Sequence, residues 1–232
     1  MELSLSLVVP VYNEEENLDQ LISDIKDYFS GFQRNHEIIF VDDGSSDKSS
    51  RIIENREDDQ IKLISHETNR GYGEALKSGF ENAEKELVAY IDGDGQFDVK
   101  DLDKMLELFP ENDMVIGERS DRKDGAERIM VSKAFNTLVR NFLELEFRDI
   151  DCGIKVFRRD MMDEIELSTG RTVDAELVGK AYHRGFKITQ VKVDHYEREG
   201  GESEAEGLMG VRAGLILTSL KEIVQIRFEL EK

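Results

Sequence analysis

Asp92-Gly93-Asp94-Gly95-Gln96 packs the most chemistry into the fewest residues. Two carboxylates two positions apart, on a glycine-relaxed turn after the apolar run Leu87–Ile91, can face one ligand. A hard divalent cation takes oxygen ligands and keeps open positions for phosphate oxygens. Asp92 and Asp94 are therefore expected to hold Mg2+ or Mn2+, with the carbonyl oxygen of Gln96 as a further ligand. Such a metal would bridge a diphosphate and neutralise charge as it leaves. The same spacing also suits a phosphatase with an aspartyl nucleophile, or a plain polar turn.

Three further clusters carry ligand-binding types. Tyr12-Asn13-Glu14 follows an apolar run, as does Asp42-Asp43-Gly44-Ser45, where an acid can accept hydrogen bonds from a nucleobase or ribose. Ser46 or Asp47 can also cap the next helix. Asn69-Arg70-Gly71-Tyr72-Gly73 precedes a helical segment and lets backbone approach a phosphate. It is neither known phosphate loop, because Leu76 stands before Lys77 and also where a dinucleotide fingerprint needs glycine. An ATPase and a dehydrogenase are not supported. The four histidines, His36, His66, His183 and His195, have no metal-ligand spacing.

These clusters must be held by regular elements. Strands are expected at Leu5–Val11, Glu37–Val41, Ile61–Ser65, Leu87–Ile91 and Met114–Ile116. Helices are expected at Asp47–Asn55, Gly73–Ala83, Asp101–Leu108 and after Asn13, which is placed to cap a helix with Glu16 in a capping box and Leu18, Leu21, Ile22 and Ile25 on one face. This alternation implies βαβ units, an α/β fold and a mostly parallel central sheet flanked by helices. Ligands then bind at the carboxyl ends of the strands, where all four clusters fall. The second half reads as helix Ile129–Leu145, strand Cys152–Phe157, helix Val173–His183, strand Lys187–Val193 and a strongly apolar helix Leu208–Leu230.

The chain has 232 residues, 39% hydrophobic and 35% charged, which suits a globular fold with a solvated surface. Two prolines and no low-complexity tract leave disorder to the ends and an acidic stretch near 199–207. A net charge of −20 excludes a general nucleic-acid binder. It suits a salt-loaded cytoplasm as well as an ordinary acidic protein. One cysteine, Cys152, fits a reducing cytoplasm. No basic leader and no membrane-length apolar run are present, so a soluble protein is expected, peripheral on the cytoplasmic membrane face if its substrate is a lipid. The expected organisation is one domain over 1–232, with a nucleotide-sugar-binding half (1–117), an acceptor half (118–207) and the C-terminal apolar helix (208–230).

Pro10-Val-Tyr-Asn-Glu14, Val41-Asp-Asp-Gly-Ser-Ser-Asp47, Asn69-Arg-Gly-Tyr-Gly73 and Asp92-Gly-Asp-Gly-Gln96 stand in the order and spacing of glycosyltransferase family 2. The chain most resembles the polyprenyl-phosphate branch of that family, the dolichyl-phosphate mannose synthase type. Gly117-Glu-Arg119, Arg128 with Ser132, Asp151-Cys-Gly-Ile-Lys-Val-Phe157 and Arg198-Glu-Gly-Gly-Glu-Ser203 extend the match. Glu118 and Glu204 depart from the branch, which has Ser and Lys there. The resemblance implies the nucleotide-diphospho-sugar transferase (GT-A) fold. It also implies inverting, metal-dependent transfer of a hexose from a GDP- or UDP-sugar to a polyprenyl (dolichyl) phosphate.

On this reading Pro10, Tyr12, Asn13, Glu14, Asp42, Asp43, Asp92 and Gly93 bind the donor. Arg119, Arg128, Ser132, Arg198 and Ser203 hold the acceptor phosphate, and Asp94, Arg128 and Asp174 are catalytic. Segment 118–148, with seven basic and six acidic residues, is a local basic island in an acidic chain. Asp174, near a helix start, is the base a saccharide acceptor would need; a phosphate acceptor is already largely ionised at neutral pH and needs none. A family 2 transferase with a saccharide acceptor and a non-catalytic nucleotide-sugar binder are the alternatives. The helix Leu208–Leu230 suits the core, a partner or a membrane interface.

Overall fold

The computed structural model describes residues 3–56, 58–109, 111–120, 126–168, 170–198, 200 and 209–230. Seven strands form one sheet: β1 (Leu5–Val11), β2 (His36–Asp42), β3 (Ile61–Ser65), β4 (Leu87–Ile91), β5 (Met114–Arg119), β6 (Ile154–Arg158) and β7 (Ile188–Val193). Seven α-helices accompany them: α1 (Leu18–Ser30), α2 (Ser49–Glu54), α3 (Tyr72–Glu81), α4 (Asp101–Leu106), α5 (Ala126–Phe142), α6 (Val173–His183) and α7 (Met209–Leu230). The sheet order is β3-β2-β1-β4-β6-β5-β7. Every pairing is parallel except those of β6, which runs antiparallel between β4 and β5.

The central strands are mostly apolar because both of their faces are covered, with Ser6 of β1 and Lys155 of β6 as buried polar exceptions. Period-two alternation divides each strand between two layers. Leu5, Leu7, Val9 and Val11 of β1, with Leu87, Ala89 and Ile91 of β4, pack under α1 and α4. Val8, Val88 and Tyr90 point the other way, into a core shared with α3, α5, α6 and α7. The chain runs outward from β1 to β2 and β3, then crosses back to β4 on the other side of β1. That reversal opens a crevice between the carboxyl ends of β1 and β4, the place where such sheets bind ligands.

One local expectation fails. Asn13 does not cap a helix: its backbone is left-handed, at φ 53°. The chain instead turns through 14–17, with Asn17 and Leu18 donating to the Glu14 carbonyl, and α1 starts only at Leu18. Leu18, Leu21, Ile22 and Ile25 form its buried face. Asp47, by contrast, does brace α2, with Oδ1 accepting from the Ser49 amide at 2.9 Å. The acidic stretch near 201–207 lies outside the described residues.

Candidate active site

Three strand ends and one returning segment enclose a cavity of about 550 Å³ at the β1/β4 crevice. From β1, Pro10, Tyr12, Asn13 and Glu14 line it. Asn13 donates its amide to Ser45 Oγ (2.9 Å) and accepts from the Ser46 amide through Oδ1 (2.8 Å), which pins the β1 exit to the β2 exit. Glu14 accepts from Asn17 Nδ2 at 2.6 Å and from the Arg198 guanidinium at 2.7 and 2.8 Å. Burial pushes the Glu14 carboxyl up to about 6, with Asn17 and Arg198 pulling against it and the Asp94 charge adding to it.

At the β2 exit the two adjacent acids have separate jobs. Asp42 Oδ1 accepts from the Ser45 amide at 3.1 Å. Asp43 lines the cavity, yet both of its oxygens serve the loop before α3. They accept from the Arg70 amide (2.9 Å) and the Gly71 amide (2.7 Å), and one meets His66 Nδ1 at 2.6 Å. Asp43 thus braces the 69–71 loop from a place in the cavity wall.

At the β4 exit, Gly93 lies against β1: a Cβ there would come within 2.4 Å of the Pro10 carbonyl oxygen, so only glycine fits. Asp92 and Asp94 both line the cavity. Tyr72 donates its hydroxyl to Asp92 Oδ1 at 2.7 Å. The carboxylate lies over Gly153, where a Cβ would sit 1.8 Å from Asp92 Oδ2. Burial, then the charges of Asp94 and Asp174, raise the Asp92 pKa well above the usual carboxylate range. Asp94 Oδ1 accepts from the Gln96 amide at 3.0 Å, and its Oδ2 lies 3.8 Å from Arg198 Nη1. Gln96 is buried, away from the cavity lining, and donates its side-chain amide to the Tyr196 carbonyl at 3.0 Å. It ties the loop to the segment that carries Arg198, so the structure does not set it beside Asp92 and Asp94 as a third ligand.

The described site residues of the second half have partners within the fold. Arg119 forks onto Asp149 at 2.8 and 2.7 Å and also donates to the Asp151 carbonyl. This ion pair is mostly buried, and Arg119 is not among the residues that line the cavity. Ser132 faces Asn136, which donates to its carbonyl at 3.1 Å. The side chain of Arg128, and Ser203 as a whole, lie outside the described residues. Asp174 is buried at the start of α6, where Lys155 Nζ and Tyr90 Oη both donate to its Oδ1. It does not line the cavity. With an ammonium and a phenol on it, it works as a charge partner rather than a poised base. Among the described members of the expected acceptor set, Arg198 lines the cavity, between Glu14 and Asp94, and Arg119 and Ser132 do not.

Sequence reasoning passed over Lys155, Tyr72, Tyr90 and Gly153. Lys155 is 0% exposed and also donates to the Cys152 carbonyl at 2.5 Å. Its signal was legible: a lysine inside the apolar run Ile154–Phe157 must be paired if it is buried.

The residues present fit a divalent cation. Asp92 and Asp94 share one wall and repel each other, and a cation would relieve that repulsion. Among the described residues no three His, Cys, Asp or Glu side chains converge as a complete protein-only metal site. Two carboxylates with remaining positions left to phosphate oxygens is the arrangement expected of a metal that arrives with a nucleotide diphosphate.

The family model for glycosyl transferase family 2 matches residues 6–166. The undecaprenyl-phosphate 4-deoxy-4-formamido-L-arabinose transferase of Proteus mirabilis is 30% identical over 204 residues, covering 86% of this chain and 62% of that protein. The dodecaprenyl-phosphate galacturonate synthase of Rhizobium johnstonii is 30% identical over 210 residues, covering 87% and 62%. The chain thus spans about three-fifths of the length of these curated relatives. Among solved structures, mannosyl-3-phosphoglycerate synthase from Rubrobacter xylanophilus superposes with a TM-score of 0.76 at 19% identity, over 99% of this chain and 75% of that one. Glucosyl-3-phosphoglycerate synthase from Mycobacterium tuberculosis, in complex with Mn2+, UDP and glucosyl-3-phosphoglycerate, gives 0.72 at 19% identity, over 94% and 79%. The likeness to these two establishes the GT-A-like fold.

Proposed function

The chain belongs to glycosyl transferase family 2, and from that premise we propose that it moves a hexose, with inversion, from a GDP- or UDP-sugar to a polyprenyl phosphate. The observation that carries this reading is the cavity at the β1/β4 crevice, where Asp92 and Asp94 face a space large enough for a diphosphate. Mg2+ or Mn2+ held by these two carboxylates would offset the charge of the departing nucleoside diphosphate. Pro10, Tyr12, Asn13 and Asp43 line the donor end of the crevice, Asp43 also bracing the 69–71 loop, while Asp42 holds the Ser45 turn just behind it. Arg198, within reach of Glu14 and Asp94, is the cation positioned to meet a phosphate.

Two facts favour a phosphate acceptor over a saccharide. A phosphomonoester is already largely ionised at neutral pH, with a second pKa of about 6, so its oxygen attacks without a base. Asp174, the base a saccharide would call for, is engaged by Lys155 and Tyr90. Two relatives carry undecaprenyl or dodecaprenyl phosphate in their names, one with an arabinose-type sugar and the other with galacturonate. Because a polyprenyl chain stays in the bilayer, the work is done at the cytoplasmic face of a membrane. Positioning and electrostatics carry most of the rate.

The test is a panel of nucleotide sugars incubated with Mn2+ and a short polyprenyl phosphate, beside saccharide acceptors and an EDTA control. A lipid-linked product that disappears with EDTA is expected. Product only on a saccharide would establish the other acceptor class. Donor binding with neither transfer nor hydrolysis would establish a binder.

A further inference from the structure

Polyprenyl-phosphate transfer, on which this inference rests, requires the cleft to meet a lipid headgroup. Among the described residues no helix is long and apolar enough to cross a membrane. Seven of the eight exposed large apolar side chains described fall on two helices: Met130, Val131, Leu138 and Phe142 on α5, and Leu217, Val224 and Phe228 on α7. We propose that these outward faces of α5 and α7 form one surface that rests on an anionic lipid bilayer beside the cleft.

The geometry joins the two faces. Val131, Leu138 and Phe142 recur at steps of seven and four, and so do Leu217, Val224 and Phe228, which makes one stripe on each helix. The helices touch, and Val139 and Leu143 share a core with Ile223 and Ile226. Arg227 reaches Glu144, just past the end of α5, at 3.0 Å, so the flank of α7 that bears its stripe turns toward α5. In chain order α5 comes after β5 and α7 after Arg198. A contiguous apolar face of this kind marks an interaction surface.

Charge selects the partner. From Ile129 to Phe142 there is no Asp or Glu, and from Leu217 to Leu230 there are two. Both turn away from the stripe: Glu222 accepts from Thr172 at 2.9 and 3.0 Å, and Glu229 meets Lys180 at 2.9 Å. Among the described residues of the two helices, the exposed charged side chains are Lys133 and Lys221. In a chain of net charge −20 this is where anionic headgroups meet the least repulsion. The apolar stripe would enter the acyl boundary while the lysines reach phosphates. A second copy of the chain fits worse, since it would set lysine against lysine and offer them no phosphate.

The test is co-sedimentation of the full chain with phosphatidylcholine–phosphatidylglycerol vesicles that contain no polyprenyl phosphate, across salt concentrations. Weak binding that persists or strengthens with salt is expected, because screening removes the repulsion and leaves the apolar contact. Leu217→Ser with Phe228→Ser, and separately Val131→Ser with Leu138→Ser, should each cut partitioning about tenfold or more. Melting and Mn2+-nucleotide binding should hold, since these side chains are exposed. Vesicle binding that neither pair lowers, or a wild-type chain left in the supernatant at every salt, overturns the proposal. So does a concentration-dependent dimer that these substitutions dissolve. Vesicle binding without transfer to a short, water-dispersed polyprenyl phosphate would count against the activity alone. Transfer to that acceptor without vesicle binding would count against this surface alone.

Discussion

Two sets of buried carboxylates differ in what faces them. Asp174 and Asp149, in the second half of the chain, each meet a cation from the same fold: Lys155 for one and the Arg119 fork for the other. Asp92, at the end of β4, meets a phenol and the like charges of Asp94 and Asp174. Glu14 stands between these cases, desolvated yet gripped by Arg198. The paired set is spent on holding the molecule together. At the β1/β4 crevice like charges face one another across an open cavity, and a bound cation would offset them.

The largest effect expected from breaking this contrast is at Lys155. Lys155→Met leaves Asp174 buried without its cation and should cost about 3–5 kcal/mol of stability. Pairing it with Asp174→Leu should recover most of that loss, read by denaturant unfolding. A double variant no more stable than the single would show that Asp174 does more than balance Lys155. Second in size is Asp94→Asn. It should lower metal-dependent transfer about a hundredfold, in line with loss of a charge-stabilising group, and weaken calorimetric Mn2+-nucleotide binding while melting hardly changes. Gly153→Ala should approach the same result by displacing Asp92. If Asp94→Asn keeps full affinity, the crevice carboxylates are not metal ligands.

The contrast also follows how far each residue's partners lie along the chain. β1, β3, β4 and α6 fall where apolar runs bounded by turn residues place them, because burial leaves a signal within a few positions, on both faces in β1 and β4 and more weakly in the edge strand β3. The crevice residues share that advantage, since each sits on the turn directly after its strand. The Arg119–Asp149 fork has no local signal, because the two residues are thirty positions apart and nothing near 119 says the guanidinium has a partner. Tyr90 reads as one more apolar residue of β4 until α6 brings Asp174 to it. The antiparallel insertion of β6 between β4 and β5 has no local signature either, yet it is what sets Gly153 beneath Asp92. Asn13 was a plausible cap by type, but its left-handed backbone sends the side chain to Ser46.

Glu14 sharpens the comparison through pH. Its folded pKa of about 6 lies above the usual carboxyl value of 4.5, so the neutral form is favoured by folding. The stability it contributes is complete at low pH and is lost as pH rises through about 6, a swing of about 2 kcal/mol. Glu14→Gln cannot ionise and should lack that decline. The difference in unfolding free energy between the two proteins should shift in favour of the variant from pH 4.5 to pH 7. Parallel pH curves would mean that Arg198 fully compensates Glu14, which would move it into the paired set.

The smallest expected effect isolates Asp92. Tyr72 donates to Asp92 Oδ1, and a hydrogen bond to the charged form opposes the burial and like charge that favour the neutral one. Tyr72→Phe removes that donor and little else, since the ring still packs beside α3. A neutral hydrogen bond contributes about 1 kcal/mol, so Mn2+-nucleotide affinity should fall about fivefold. The loss should shrink as pH rises, because the cation must displace any proton Asp92 holds. Asp94→Asn offers the contrast: it removes a ligand, so its loss should persist at high pH. A Tyr72→Phe protein that melts lower but binds Mn2+-nucleotide as tightly at every pH would make this tyrosine packing alone. Asp92 would then be held by Gly153 and its own strand, without help from the phenol.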